Sequence, residues 1–128
     1  MDKVLFSVEY DFNNTSASFL WDLIATPDGL ASWFADRVEA NGKHFIFFWN
    51  DEKRCATQIA LKIGSHIKLR WDDSTNKKCF FELKLTQNEL TKNITLIVSD
   101  FADKTEIKDS IDLWDEQISL LRKKLGAY

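Results

Sequence analysis

Two periods of apolar spacing divide this chain. Between residues 104 and 125, Ile107, Ile111, Trp114, Ile118, Leu121 and Leu125 recur at steps of four and three. That spacing makes one continuous stripe on a helix, and Leu113 and Leu120 widen it on one flank. Acids crowd the first half and Arg122, Lys123 and Lys124 close the last turn, the order that a helix dipole favours. Asp103 and Glu106 are spaced as a capping box, and Gly126 stands where helices stop. About twenty-two residues rising ~1.5 Å each predict a rod of ~33 Å with a wide greasy face. Such a rod must lie on something.

Most of the remaining chain alternates with period two. Val4, Phe6, Val8 and Tyr10 predict a first strand. Asn13, Asn14, Thr15 and Ser16 supply turn and cap chemistry. A short helix is predicted over 16–25, on Phe19, Leu20, Leu23 and Ile24 with Trp21 beside them. Thr26 and Pro27 restart it as cap and first helical residue, although Gly29 weakens this second helix. Leu30, Trp33 and Phe34 are its anchors. From Asp36 the strand period persists for about sixty-five residues. Asn41-Gly42 is the strongest hairpin signal and joins a strand near 36–40 to one near 43–50. Cys55, Thr57, Ile59, Leu61 and Ile63 read as the inner face of the next strand, followed by a turn at Gly64-Ser65. Further strands follow on Ile67, Leu69 and Trp71, then on Cys79, Phe81, Leu83 and Leu85, then on Ile94, Leu96 and Val98. Consecutive strands with short turns pair antiparallel. The expected fold is α+β: a curved seven-stranded antiparallel sheet gripping the long C-terminal helix, with two short helices after the first strand, in one domain over residues 1–128.

Composition narrows the function classes. The 128 residues carry a net charge of −3 and no run of bases, against a nucleic-acid binder. No stretch approaches the ~20 apolar residues of a membrane span, and Met1 to Phe6 lack signal-peptide architecture. A cytoplasmic protein is expected. Cys55 and Cys79 fall inside predicted strands and read as reduced, buried residues. His44 and His66 have no ligand spacing to them, so neither metal nor cofactor is expected. Ten Phe, five Trp and two Tyr are more aromatic residues than such a chain needs, and they suit a curved sheet with a wide interior.

The run over 18–36, with Thr26-Pro27-Asp28 and then Trp33-Phe34 after a helix, resembles the opening signature of the START-like (SRPBCC, Bet v 1-like) superfamily. It is most similar to the heat-shock ATPase activator-homologue branch. The order of elements agrees from Val4 to Leu125. The resemblance implies a cavity between sheet and long helix, used in such families for lipids, sterols, polyketides or other hydrophobic molecules. Other members are protein-binding modules, because one fold hosts many functions.

Alternation gives the candidate cavity lining: Phe47, Trp49, Trp71 and Phe81 on the sheet, Ile111, Trp114 and Ile118 on the helix, and Tyr10 and Thr57 as polar exceptions. An apolar hollow with a few convergent polar groups is what a small-molecule site looks like; the plainer expectation is that these large side chains fill it. The first function expected is therefore non-enzymatic binding of a hydrophobic, lipid-like molecule. The second is an interaction module, a homodimer or co-chaperone-like adaptor, using an outer sheet face with His44, Ile46, Phe48, Phe80 and Ile97. The third is a cyclase- or hydrolase-type enzyme resting on Tyr10 or His44, since no phosphate loop, nucleophile elbow or metal motif appears.

Overall fold

The computed structural model describes residues 3–13 and 15–126. Asn14, part of the predicted turn, lies outside them, as do Met1 and Asp2. Among the described residues the chain runs β1 (Lys3–Phe12), α1 (Ala17–Ala25), α2 (Pro27–Leu30), β2 (Arg37–Asn41), β3 (His44–Trp49), β4 (Glu52–Lys62), β5 (His66–Trp71), β6 (Phe81–Gln87), β7 (Ile94–Asp103), a 3₁₀ turn (Lys104–Glu106) and α3 (Ile107–Leu125). The strands form one antiparallel sheet in the order β1-β7-β6-β5-β4-β3-β2. Chain neighbours are sheet neighbours everywhere except β1, which closes onto β7. The α+β helix-grip architecture is the expected one.

The local chemistry explains most boundaries. Ser16 caps α1, its hydroxyl accepting from Phe19 N–H at 3.2 Å. Thr26 ends α1 and starts α2: its hydroxyl donates to Asp22 C=O at 2.7 Å and accepts from Gly29 N–H at 3.0 Å. Gly29 is required by close approach. A β-carbon there would stand 2.0 Å from Asp22 O and 2.6 Å from the Leu23 α-carbon. α3 ends on Gly126, in the left-handed region at φ +70, its N–H bonding back to the Arg122 and Lys123 carbonyls. The expected capping box at the other end does not form. Asp103 and Glu106 make no side-chain cap bond, because a 3₁₀ turn separates them from a regular first turn.

β4 departs from the sequence reading. Its register against β5 shifts between Gln58 and Ala60, leaving Ile59 unpaired. This bulge reverses the phase of the strand. Before it, the inward set is Arg54, Ala56 and Gln58, opposite Phe47, Trp71 and Leu69. Ala56 is fully buried, whereas Cys55 and Thr57 face outward beside Ile46 and Arg70. Ile63, expected inside, is 82% exposed in the turn. Both cysteines are free; Cys79 is buried but precedes β6 rather than lying within a strand, and Cys55 is half-buried.

α3 lies across β1 and β7, and the short helices cover the ends of β5, β6 and β2. Between these two covers lies a part of the inner face belonging to β3–β5, and there the candidate site is found.

Candidate functional site

Aromatic rings from four elements meet in that gap. Phe34, on the loop after α2, stacks on Phe81 and Trp114 at centroid separations of 5.8 and 5.9 Å and meets Phe47 and Trp49 edge-on. Trp71 stacks on Phe81 at 5.2 Å and meets Phe47 edge-on at 5.4 Å. The rings do not fill the gap. They leave a chamber of about 270 Å³ walled by Phe34, Trp49, Arg54, Trp71, Phe81, Asp100, Leu113, Trp114 and Gln117. Phe34, Trp49 and Gln117 also border a cleft of about 560 Å³ beside Leu120, Lys123 and Lys124. Arg54, Trp71 and Asp100 also border a polar hollow of about 280 Å³ at Lys3, Asp73 and Asn76. The chamber and the cleft both open beside α3.

Polar atoms hold the rings in place. Trp49 Nε1–H donates to Phe34 C=O at 2.9 Å, tying β3 to the loop after α2. Trp33 Nε1–H donates to Leu23 C=O at 2.7 Å. Trp114 Nε1–H donates to Asp100 Oδ2 at 2.9 Å, and Asp100 Oδ1 accepts from Phe101 N–H at 2.7 Å. Burial pushes the Asp100 carboxyl above the ordinary carboxylate value, against these two bonds and the positive charges of Lys3 and Arg54. Arg54 lies flat over the Trp71 ring, 4.0 Å from its centroid, and grips Asp73 through Nε and an Nη at 3.1 Å each. Those bonds hold the Asp73 carboxyl below its ordinary value. A cation therefore covers one face of the Trp71 indole.

The structure brings Trp49, Trp71, Phe81 and Trp114 of the expected lining to the chamber wall. Phe47 stands directly behind, fully buried and stacked on Trp49 at 5.9 Å. Ile118 is in the core beneath, and neither it nor Ile111 reaches the hollow. The chamber's helix wall is Leu113, Trp114 and Gln117 instead. Tyr10 is elsewhere: on β1, at the other flank of α3, its hydroxyl donates to Asp115 Oδ1 at 2.7 Å. Burial and that bond raise its pKa. Thr57 is on the outer face, donating to Asp72 Oδ1 at 2.7 Å. His44 is exposed on the outer face beside Thr57, and His66 meets Ser65 at 3.2 Å.

Sequence reasoning missed Phe34 and Leu113 as walls, and Arg54, Asp100 and Gln117 altogether. Two carried a signal. Asp100 continues the inward alternation of Leu96 and Val98, and Gln117 sits three residues after Trp114 on the helical stripe. Arg54 carried none, because the bulge sets its direction.

Among the described residues, no three His, Cys, Asp or Glu side chains gather into a group that could hold a metal ion. No helix is long and apolar enough to cross a membrane.

The same fold recurs in solved structures. BfR322 from Bacteroides fragilis, solved by NMR in solution, is 39% identical, with all of this chain aligned to 94% of that one and a TM-score of 0.73. The Aha1 dimer from Colwellia psychrerythraea aligns over 98% of this chain and 96% of that one, at 14% identity and TM-score 0.71. ChR145 from Cytophaga hutchinsonii aligns over 96% and 94%, at 15% identity and TM-score 0.74. No functionally curated protein matches the sequence. The START-like superfamily domain matches residues 1–127, and with the helix grip and the chamber beside α3 in place, the chain belongs to the START-like superfamily.

Proposed function

We propose that this domain binds a small, flat, mainly apolar molecule in the chamber between α3 and β3–β5, without converting it chemically. One observation carries the reading: aromatic walls from four elements converge on a hollow that they leave open. The chamber volume of about 270 Å³ falls just short of the ~300 Å³ at which ligand sites begin. That size weighs against a lipid sealed inside it and favours two or three fused rings, or a longer body that reaches out of the chamber beside α3. The charged groups at hand are already engaged as supports, Asp100 by Trp114 and Phe101, Arg54 by Asp73, which suits holding rather than proton transfer.

The outer sheet face supports a protein partner less well. Phe80 there meets Phe101 edge-on with Lys68 Nζ 4.3 Å above its ring, and Arg37 lies over Phe48. Its aromatic surface is already shared with cations. The Aha1 neighbour is a dimer by its name, and at 14% identity it bears on fold alone.

Titration with 2-naphthol, read by tryptophan fluorescence and by the indole N–H resonances of Trp49 and Trp114, tests the proposal. Saturable quenching that moves those two signals is expected, and Trp71→Ala should weaken it. No saturable response up to about 1 mM, together with a bare mass for protein sprayed natively from gentle purification, would sink it.

A further inference from the structure

We infer that this domain rests on an anionic lipid surface through one end of its sheet, with Ile63 and Leu90 set into the membrane interface and lysines among the headgroups. The inference stands apart from the chamber. Leu90 is 93% exposed and Ile63 82%, more than any other large hydrophobic side chain among the described residues. Exposed apolar residues scattered singly mean little. These two stand on the turns of neighbouring hairpins, β4–β5 and β6–β7. Leu85 N–H donates to Ser65 C=O at 2.7 Å, so both turns lie at the same end of the sheet.

Each turn is held by its own hydrogen bonds. Ser65 N–H donates to Lys62 C=O at 2.9 Å, across a turn that Gly64 completes at φ +81. Ile63 is at its crest. In the other turn the Asn88 side-chain oxygen accepts from Leu90 N–H at 2.9 Å and Thr91 N–H at 3.0 Å. Lys92 N–H donates to Asn88 C=O at 2.8 Å. The leucine side chain is left standing in water on an ordered tip.

Positive charge gathers at the same end. Segments 41–43, 62–66 and 84–93 carry Lys43, Lys62, Lys84 and Lys92 against one acid, Glu89, in a chain whose net charge is −3. The first of these segments is the β2–β3 turn, where Gln58 N–H of β4 donates to Lys43 C=O at 2.7 Å. Lys62 and Lys84 flank His66 across β4, β5 and β6. None of the four lysines forms an ion pair among the described residues. Apolar tips among free cations match an interfacial contact: the tips enter the acyl boundary while the ammonium groups stay with the headgroups. A second copy docked by the same end would set lysines against lysines. A nucleic acid would leave Ile63 and Leu90 in water. A bilayer with acidic headgroups answers both halves of the surface. His66 and Trp71 are the two extremes of β5, so this end lies away from the aromatic rings and the contact leaves the chamber uncovered.

Co-sedimentation with vesicles at low salt tests this, using pure phosphatidylcholine beside vesicles in which about a third of the lipid is phosphatidylglycerol. The native chain should pellet with the anionic vesicles and stay in solution with the neutral ones. Ile63→Ser with Leu90→Ser should weaken partitioning at least ~10-fold, by withholding two apolar side chains from the interface. Lys62→Gln with Lys84→Gln should weaken it roughly thirtyfold. None of the four side chains is buried, so both double variants should melt with the parent. A native chain that does not pellet, or pellets equally with both lipids, overturns the inference. So do tip variants that pellet like the parent. A dimer in lipid-free solution that the tip variants convert to monomer also overturns it, assigning the tips to a second copy.

Discussion

The inner face of the sheet has two unlike halves. Under the helices, the buried aliphatic side chains of β6 and β7 include Leu83, Leu85, Ile94, Leu96 and Val98, and α3 adds Ile118 and Leu121. Across β3 and β5 the corresponding positions are Phe47, Trp49 and Trp71, faced by Phe34 and Trp114. Branched aliphatic chains adjust their rotamers to fill whatever gap remains, and this half closes. Aromatic rings are rigid plates that prefer fixed offsets and tilted meetings. Plates set at such angles leave wedges, and the chamber is one of them. Each indole also needs an acceptor, so tryptophans bring polar atoms to the edge of an apolar site: Phe34 C=O for Trp49 and Asp100 for Trp114. The half that packs less completely is the half that can hold something else.

Trp114 joins the two halves, and replacing it should have the largest effect. Trp114→Ala removes a side chain only 8% exposed and leaves Asp100 without its indole donor, which should cost ~3–5 kcal/mol in urea denaturation. Leu113→Ala, one residue earlier and 63% exposed, should cost under ~0.5 kcal/mol. Equal losses would mean that α3 faces the sheet differently. Gly29→Ala comes next. It drives a methyl group into the backbone of α1, and overpacking of that kind costs ~1–3 kcal/mol. Because the loop after α2 carries Phe34, the same variant should disturb the indole resonances of Trp49 and Trp114 while leaving the Tyr10–Asp115 flank unmoved. A variant that melts with the parent and leaves those resonances in place would show that α2 does not position the ring.

The aliphatic half was legible in the sequence. The α3 stripe and the alternation in β1, β6 and β7 each predict a buried face, because one period runs unbroken through the element. The aromatic half was legible in composition but not in detail. Trp49, Trp71, Phe81 and Trp114 follow from alternation and helical spacing. The bulge at Ile59 is a tertiary event with no local residue signature, and through it Thr57 moved outward while Arg54 moved in. Tyr10 was on the expected face of β1, but alternation gives a face and not a place along the sheet. Strand β1 turns out to be the edge farthest from β3, and Asp115 takes the phenol. The strand predicted on Ile94, Leu96 and Val98 stops short of Asp100, whereas β7 runs on to Asp103 and carries that carboxylate inward.

Asp100 offers the smallest effect and the finest test of how the two halves differ. Its carboxyl sits above the ordinary value of 3.8 chiefly because burial disfavours the charge. The folded chain therefore holds this proton more tightly than the unfolded chain does. The contribution is favourable in acid and is lost as pH rises from the unfolded value through the folded one. Asp100→Asn keeps an oxygen for the Trp114 indole and has nothing to ionise. Its urea midpoint should therefore gain on the parent's between about pH 4 and pH 7. A constant difference would mean that Asp100 is well enough solvated to titrate normally. A variant that loses ground as pH rises would reverse the sign, making Lys3 and Arg54 the dominant influence on the carboxylate. The aromatic half would then be an ion-paired surface, and the contrast with the aliphatic half would lie in charge rather than in packing.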